Sequence, residues 1–254
     1  MKILLIGDSC KDIYHYGKCK RISPEAPVPI LKEDYFETKE GMSSNVYENL
    51  LSLGVSVTHL KNKEQIEKHR IVDMTYRQQL IRYDVGENNI QPLNLNKLKT
   101  GFDIVVVSDY NKGFITYDVA KYICNFYKDV PIFVDTKKKN LKCFKNCYIK
   151  INNIEYELLE GINEDCELIV TLGGEGALYN KQIYKTKKVE VYDVCGAGDV
   201  FLSALVYKFS KSKDIKSSIH TANKFASYTV TKLGSYVLTK KDIQQLEKEK
   251  IKPN

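Results

Sequence analysis

The chain has 254 residues, of which 43% are hydrophobic, a composition typical of a folded protein with one substantial core. No apolar run approaches the roughly 20 residues that span a bilayer, and the apolar start KILLIG becomes charged at once, which excludes a signal peptide. The net charge of +7 fits nucleic acid or a small anion, but no nucleic-acid-binding motif accompanies the scattered lysines. We expect one cytoplasmic domain over residues 1–254, without a nucleic-acid or membrane partner.

Short apolar segments alternate with helical patterns along most of the chain. The predicted strands are KILLIG, VSVTHL, FDIVVVS, VPIFVD, CYIKI and ELIVTL, and the predicted helices cover 43–53, 117–127, 154–159, 215–233 and 240–250. This alternation is typical of βαβ units. It predicts an α/β fold with a mostly parallel central sheet flanked by helices, whose ligands bind at the carboxyl ends of the strands.

Two segments, 13–37 and 69–87, interrupt the alternation. They are rich in Tyr, Ile and Val and contain no convincing helix, so we predict antiparallel strands outside the main sheet. Such strands fit a small β-sheet lid that excludes water from a reacting group. A lid left uncovered would expose strand edges and apolar surface, and we therefore predict a homodimer formed through it.

The segment VYDVCGAGDVFLSALVY contains two glycines and an aspartate between apolar residues. Residues before Asp193 suit a strand, and the apolar positions after Asp199 recur at helical spacing, which predicts a strand-to-helix turn. Gly196 and Gly198 would let a ligand approach the main chain, and the first N–H groups of the helix would hold an anion. Asp199 is either a helix cap or a base that takes a proton from an attacking hydroxyl.

Polar residues also follow several predicted strands. GDSCKD places Asp8 and Asp12 at the carboxyl edge of the sheet, and Asn45 opens the next helix; together they could bind sugar hydroxyls, or be ordinary loop and cap residues. In INNIEYE, Asn152 and Glu155 form either a helix-capping pattern or a magnesium and phosphate site in which the glutamate holds a metal-bound water.

The remaining motifs are weaker. VTLGGEGALY is a glycine-rich loop after a strand, which by itself is a weak signal for a nucleotide. The seven cysteines form no CxxC pair, so we predict reduced thiols and neither a disulfide framework nor a zinc site. Cys195 lies inside the glycine turn, where we interpret it as a turn residue and not as a nucleophile.

In their order along the chain, DVCGAGD, NNIE and VTLGGEG resemble the motifs of the PfkB, or ribokinase-like, carbohydrate kinases, up to about Leu233. RISPEAPVPIL, YRQQLIRYD and VVVSDYNKG further resemble the bacterial D-glycero-β-D-manno-heptose-7-phosphate kinases of lipopolysaccharide biosynthesis. The resemblance implies a ribokinase-like fold and transfer of the ATP γ-phosphoryl group to the anomeric O1 of heptose 7-phosphate, which gives the 1,7-bisphosphate. Many such kinases are fused to a nucleotidyltransferase domain, which we do not expect within residues 1–254.

The resemblance also implies roles for individual residues. Asp199 would be the base, with the backbone N–H groups of Gly196, Ala197 and Gly198 stabilising the transferred group. Asn152 and Glu155 would organise Mg²⁺, the latter through water, and Thr171, Gly173 and Asn223 would line the ATP. The sugar would be held by Asp8, Asp12, Gly41 and Asn45, and its 7-phosphate by Arg21, Lys112 and Lys137. Some relatives use a monovalent cation such as potassium; the motifs leave open whether this chain does.

The chain departs from the family pattern in three places. Met42, Ser43 and Ser44 replace a glycine and alanines, Cys195 replaces a threonine, and the segment 60–69 is shorter than in relatives. Sugar specificity is therefore open, and a kinase for another sugar or sugar phosphate is the first alternative. The second is a non-catalytic regulator that binds sugar or nucleotide, although a pure binder gains nothing from a carboxylate beside phosphate.

Overall fold

The structure is a computed structural model that describes residues 1–232 and 234–248. The strands are β1 (Lys2–Gly7), β2 (Ser9–Ile22), β3 (Pro29–Met42), β4 (Ser56–Lys61), β5 (Glu67–Asp73), β6 (Gln78–Val85), β7 (Ile104–Asp109), β8 (Ile132–Thr136), β9 (Asn140–Leu141), β10 (Cys147–Asn152), β11 (Gly161–Ile162), β12 (Glu167–Thr171), β13 (Ala177–Tyr179) and β14 (Gln182–Tyr184). The helices are α1 (Ser43–Ser52), α2 (Tyr117–Phe126), α3 (Asn153–Glu157), α4 (Ala197–Ser212), α5 (Ile215–Thr229) and α6 (Lys240–Lys248). The predicted helix ends at Leu233 and Lys250 lie outside the described residues.

The main sheet has eight strands in the order β14-β13-β12-β10-β8-β7-β1-β4. The six strands from β12 to β4 are parallel, and β13 and β14 add antiparallel strands at one edge. The prediction of a mostly parallel α/β sheet is therefore confirmed.

Both faces of this sheet are covered, which explains why its strands read as continuous apolar runs. In β1, Ile3 and Leu5 join the core formed with α1, α4 and α5, whereas Leu4 and Ile6 join the core that includes α2. Because the parallel strands end at one edge, the polar residues that terminate them converge there.

A second, small sheet has four strands in the order β3-β2-β5-β6 and contains both predicted lid segments. Its β2–β3 and β5–β6 pairs are antiparallel, but the prediction of antiparallel pairing is wrong for β2 and β5, which run parallel. The reason is that β1 and β4 are parallel neighbours, and each continues almost directly into the small sheet. The two exits are joined by Asn62, whose side chain accepts a hydrogen bond from Ser9 N (2.7 Å) and donates one to Ser9 O (3.2 Å).

This continuity also corrects two local predictions. Asp12 lies on β2 in the small sheet and not at the edge of the main sheet, because the chain leaves β1 as a strand. No strand precedes the glycine turn: within the described chain β14 ends at Tyr184, and residues 185–194 form an irregular segment. Tyr192 N and Asp193 N both donate to Val230 O, so the segment packs on the end of α5 instead of joining the sheet.

Candidate active site

Asp199 lies in the first turn of α4 and is only 5% exposed. Asn45 Nδ2 donates to its Oδ2 over 2.8 Å, and the Tyr110 hydroxyl donates to its Oδ1 over 2.6 Å. The two donors come from α1 and from the loop after β7. The main sheet therefore brings a helix, a loop and a second helix together around one carboxylate.

Burial raises the pKa of Asp199 from its ordinary 3.8 to about 6. The hydrogen bonds from Tyr110 and Asn45 oppose this rise, nearby Asp135 adds to it, and the ammonium of Lys150 opposes it. A carboxyl group with this pKa exchanges its proton close to neutral pH, which is what a general acid or base requires.

The turn that precedes α4 depends on glycine. Gly196 has a φ of +76°, in the left-handed region, and is the N-cap residue of α4. Ala197 N donates to Val194 O over 3.2 Å, whereas the N–H groups of Gly196 and Gly198 have no acceptor among residues 1–232 and 234–248. Two of the three predicted backbone donors are therefore available to an anion at the helix N-terminus.

A buried ion pair lies against this turn. Lys150 Nζ contacts Asp135 Oδ2 over 2.8 Å, and both side chains are at most 5% exposed. A Cβ added to Gly198 would lie 2.9 Å from the same Nζ, so the ammonium approaches the main chain of the turn itself. Lys150 lies between two buried isoleucines of β10. The sequence pattern of this strand did not predict a role for it.

Asn152 and Glu155 form a capping box at the start of α3. Asn152 Oδ1 accepts from Glu155 N, and Glu155 Oε2 accepts from Asn152 N, each over 2.8 Å. The second oxygen of Glu155 forms an ion pair with Lys137. Burial lowers the pKa of Lys137, but Asp135 and Glu155 outweigh it and raise the pKa overall. The cap thus fixes a carboxylate at the same edge of the sheet as Asp199.

A cavity of about 440 Å³ opens beside the N-terminus of α4. The predicted nucleotide residues Thr171, Gly173 and Asn223 line it together with Ala197 and Gly198. Its apolar walls are formed by Val189, Val191, Val194, Phe201, Ala226 and Val230. The segment before Asp193, predicted as a strand, instead places Val189 and Val191 in one wall of this cavity.

Asp8 is completely buried and serves the loop after β7. Its carboxylate accepts backbone hydrogen bonds from Tyr110 (2.8 Å), Lys112 (3.4 Å) and Phe114 (3.3 Å). Asp8 therefore fixes the position of Tyr110, and through Tyr110 that of Asp199. The sequence had suggested a direct sugar contact for Asp8; the structure places it behind the loop.

Asp12 faces the site from the small sheet, with Gly41 beside it on β3. Arg70 Nη1 donates to Asp12 Oδ1 over 2.5 Å. The strand register sets Asp12 between Lys39 and Lys68. Lys39 Nζ lies 5.3 Å from the Tyr14 ring centre and Lys68 Nζ 5.9 Å from that of Tyr110.

The three cations predicted for a sugar phosphate do not cluster. Arg21 is exposed nine residues along β2 from Asp12, a distance of about 30 Å in a strand. Lys112 pairs with Glu87 over 2.5 Å, and Lys137 pairs with Glu155. In contrast, Lys39 and Lys68 have no carboxylate partner within the described ranges.

A sequence model described as pfkB family carbohydrate kinase matches residues 48–242. The chain belongs to this family. It is 32% identical to a protein named bifunctional protein HldE from Nitratiruptor sp., over 97% of this chain and 65% of that protein. It is 33% identical to the bifunctional protein HldE of Campylobacter jejuni, over 89% of this chain and 60% of that protein. The chain thus spans less than two thirds of these relatives.

Solved sugar kinases share the fold. Ribokinase from Thermotoga maritima superposes with a TM-score of 0.72 at 16% identity, over 97% of this chain and 99% of that one. Phosphofructokinase-2 from Escherichia coli, in complex with potassium, gives 0.73 at 15% identity, over 96% and 97%. Ribokinase from Arabidopsis thaliana, with ribose and ATP, gives 0.69 at 16% identity, over 98% and 99%. The predicted membership of the PfkB family and the ribokinase-like fold are both confirmed.

The site of this family member suits a magnesium nucleotide. Asp135 and Glu155 lie near the carboxyl ends of the adjacent strands β8 and β10, and Asp135 Oδ1 is buried without a hydrogen-bond partner among the described residues. Carboxylate oxygens are ligands that Mg²⁺ prefers. In the described part of the chain, no group of three or more His, Cys, Asp or Glu could hold a metal ion alone. Phosphate oxygens and water would therefore complete such a site.

No helix in residues 1–232 and 234–248 is both long and apolar enough to cross a membrane.

Proposed function

We propose that the protein is a cytoplasmic, ATP-dependent kinase that phosphorylates the anomeric O1 of D-glycero-D-manno-heptose 7-phosphate in lipopolysaccharide precursor synthesis. Family membership supports a phosphotransferase with an alcohol acceptor. The observation that carries the proposal is the buried carboxylate of Asp199 at the start of α4. The same turn presents the N–H groups of Gly196 and Gly198, which have no acceptor in the described chain, and it lies beside the Lys150 ammonium and an apolar cavity. The heptose assignment rests on the segments RISPEAPVPIL and VVVSDYNKG.

In this proposal Asp199 takes the proton of the attacking sugar hydroxyl. Its two oxygens accept from Asn45 and Tyr110, and each keeps a further lone pair that can accept a hydrogen bond from the incoming hydroxyl. The N–H groups of Gly196 and Gly198 and the ammonium of Lys150 stabilise the charge on the phosphoryl group in transfer. Preorganised donors of this kind usually supply the largest part of such catalysis.

The cavity at α4 takes the nucleotide, with the base between the apolar walls and the phosphates toward the glycine turn. Glu155 would hold Mg²⁺ through water, and Asp135 Oδ1 is the second carboxylate oxygen that could face it. Bound Mg²⁺ would neutralise phosphate charge during transfer. The motifs leave assistance by a monovalent cation open, and rates measured with and without potassium decide the point.

The 7-phosphate contacts Lys39 and Lys68 in this proposal. Both ammonium groups flank Asp12 on the face of the small sheet that covers the site, and neither is neutralised by a carboxylate in the described ranges. Lys68 is also close to Tyr110, which in turn holds Asp199. A sugar held with one end at Asp199 would place a phosphate at its other end near these lysines.

The proposed homodimer uses the opposite face of the small sheet. Phe36, Ile81 and Tyr83 lie on that face, since they are paired with His15, Ile71 and His69, and each is at least 45% exposed. Exposed apolar side chains on a sheet are typical of an interface. Sedimentation of an Ile81→Lys variant tests this: we expect monomers where the wild type sediments as a dimer.

The function is tested by ATP consumption with heptose 7-phosphate, unphosphorylated heptose, ribose and fructose 6-phosphate, each with Mg²⁺. We expect turnover on heptose 7-phosphate that Asp199→Asn abolishes. Asp214→Asn is the matched control, because Asp214 caps α5 and asparagine caps helices equally well. Turnover on another sugar alone would remove the heptose assignment, and binding without turnover would favour the regulator.

A further inference from the structure

Three cysteines from separate parts of the sequence meet at the edge of the sheet remote from Asp199. Cys124 lies on α2, Cys147 begins β10, and Cys166 immediately precedes β12. Cys124 Sγ and Cys147 Sγ are 3.5 Å apart, and Cys147 and Cys166 lie side by side because they immediately precede the paired residues Tyr148 and Glu167 of the parallel strands β10 and β12. Cys147 is therefore the middle member of a chain of three thiols, which we call the thiol cluster.

The cluster lies apart from the proposed active site. β10 starts at Cys147 and ends at Asn152, so its length separates the cluster from the capping box by roughly 17 Å. None of the three thiols contacts a residue assigned above to sugar, nucleotide or phosphate binding. Chemistry at the cluster can thus be measured without substrate and without any assumption about kinase activity.

The three members differ in access and in hydrogen bonding. Cys124 and Cys147 are buried, at 4% and 3% exposed, whereas Cys166 is half-buried. The Cys147 thiol contacts Cys124 Sγ and donates to the backbone carbonyl of Lys145 over 3.0 Å. Interactions with the Cys147 side chain and with the backbone N–H groups of Cys147 and Asn146 lower the pKa of Cys166 to about 7, against the effects of burial and of Asp165. The accessible sulfur is therefore the one whose thiolate is stabilised.

Thiolate chemistry is a better use of this arrangement than metal binding. In the described residues no cluster that includes these cysteines could hold a metal ion. A reactive thiolate beside a second thiol is, by contrast, the arrangement that thiol–disulfide exchange requires.

We propose that the thiol cluster is a thiol–disulfide exchange site for low-molecular-weight disulfides, with Cys166 as the attacking thiol and Cys147 as the resolving thiol. In the first step the Cys166 thiolate attacks one sulfur of RSSR, forms a Cys166–S–S–R mixed disulfide and releases RS⁻. In the second step Cys147 transfers its proton to the released RS⁻, and its sulfur attacks that of Cys166 and expels the second RS⁻. The protein then holds a Cys147–Cys166 disulfide, and the small disulfide has been reduced to one RSH and one RS⁻, which takes a proton from water.

Cys19 provides an internal reference, because it is also half-buried but lacks a thiol neighbour on the small sheet. Burial and Asp73 raise its pKa above the ordinary 9.0. At pH 7 a thiol of pKa about 7 has about 50 times more thiolate than one of pKa 9, and its lower nucleophilicity removes about 8-fold of that advantage. We expect Cys166 to react at least about 5-fold faster than Cys19.

The experiment treats the whole native protein with oxidised glutathione at pH 7, alkylates the remaining thiols and identifies the modified cysteines by peptide mass spectrometry. We expect a Cys147–Cys166 disulfide in the wild type and in Cys19→Ser, a stable glutathione adduct on Cys166 in Cys147→Ser, and neither product in Cys166→Ser. A disulfide between Cys124 and Cys147, or an unmodified Cys166, would overturn the assignment.

A second measurement needs no substitution in the cluster. The rate of iodoacetamide labelling of Cys166 in the wild type is followed against pH, with Cys19 as the reference in the same sample. If labelling of Cys166 reaches half its maximal rate near pH 7, the attacking role is supported. If Cys166 reaches half its maximal rate at the same pH as Cys19 or at a higher pH, the attacking role is contradicted.

Discussion

Replacing Tyr110 with phenylalanine tests the electrostatic balance at Asp199 most directly. The substitution removes the 2.6 Å hydrogen bond to Oδ1 but keeps the aromatic ring and the backbone N–H that Asp8 holds. The group that loses a donor is the ionised carboxylate, so the substitution disfavours ionisation. We expect the pKa of Asp199 to rise from its value of about 6.

The size of this rise follows from the type of bond removed. A hydrogen bond to a charged group contributes about 1.5–3 kcal/mol, and one pKa unit corresponds to about 1.4 kcal/mol. The expected pKa of Asp199 in Tyr110→Phe is therefore about 7–8. At pH 7 the ionised fraction would fall from about 90% to between about 10% and 50%.

The pKa is measured by carbon NMR of protein labelled at the aspartate carboxyl carbons, with the Asp199 signal assigned by its absence in Asp199→Asn. Tyr122→Phe, an exposed tyrosine on α2, is the matched control and leaves the titration unchanged. In the kinase assay, turnover by Tyr110→Phe at pH 7 falls about 2- to 10-fold and recovers toward pH 9.

Recovery at high pH separates an electrostatic role for Tyr110 from a packing role, because lost packing is not restored by deprotonation. An Asp199 pKa in the folded Tyr110→Phe protein that is unchanged or lower than in the wild type would refute the reasoning. Asp199 also faces Asp135, Lys150, Lys137 and Cys10, and none of these groups is altered by the substitution.

Three further outcomes are expected. Asp199→Asn raises the free energy of unfolding above pH 6 by up to about 3 kcal/mol. The reason is that a carboxyl group whose pKa rises from 3.8 to about 6 on folding opposes folding once it is ionised. Urea unfolding at pH 8 shows this gain, and the gain disappears below pH 4. Lys150→Met lowers kcat by at least about 100-fold with little change in the KM for ATP, and a proportional rise in KM would assign Lys150 to ground-state binding instead. Lys68→Gln raises the KM for heptose 7-phosphate about 10-fold, whereas Lys20→Gln, on the exposed part of the small sheet, leaves this KM unchanged. An equal rise in KM for phosphorylated and unphosphorylated heptose would exclude a phosphate contact.

The sequence predicted the elements that have a regular hydrophobic pattern. Buried parallel strands such as VVVS produce apolar runs, and helix α4 shows its spacing over four turns, so periodicity alone predicted the order of elements. The parallel pairing of β2 with β5 could not be predicted this way, since it depends on the neighbouring positions of β1 and β4 in the finished sheet. The strand predicted before Asp193 is wrong because the apolar side chains of this segment, Val189 and Val191, face the cavity and not the main sheet.

For the candidate site as well, the sequence predicted residues that lie in one contiguous motif and missed residues that meet only in the folded protein. Asp199 and its glycine turn were predicted because they are contiguous, and Thr171, Gly173 and Asn223 do line one cavity. Lys150 and Tyr110 were not singled out, since each acts on a partner far away in the sequence. The cations predicted for the sugar phosphate are motif residues, whereas Lys39 and Lys68, which have no carboxylate partner in the described chain, are placed beside Asp12 by strand register.

The small sheet is attached to the rest of the chain at four places, which limits how the site can open. These are Asp8 between β1 and β2, the β3–α1 junction, residues 62–66 between β4 and β5, and the segment that follows β6; Asn62 also joins the first of these links to the third. Asp12, Lys39 and Lys68 lie on three adjacent strands of this sheet, so any movement of the sheet would shift all three together. In the proposed kinase, the contacts of these side chains with the substrate would therefore be gained or lost as a set.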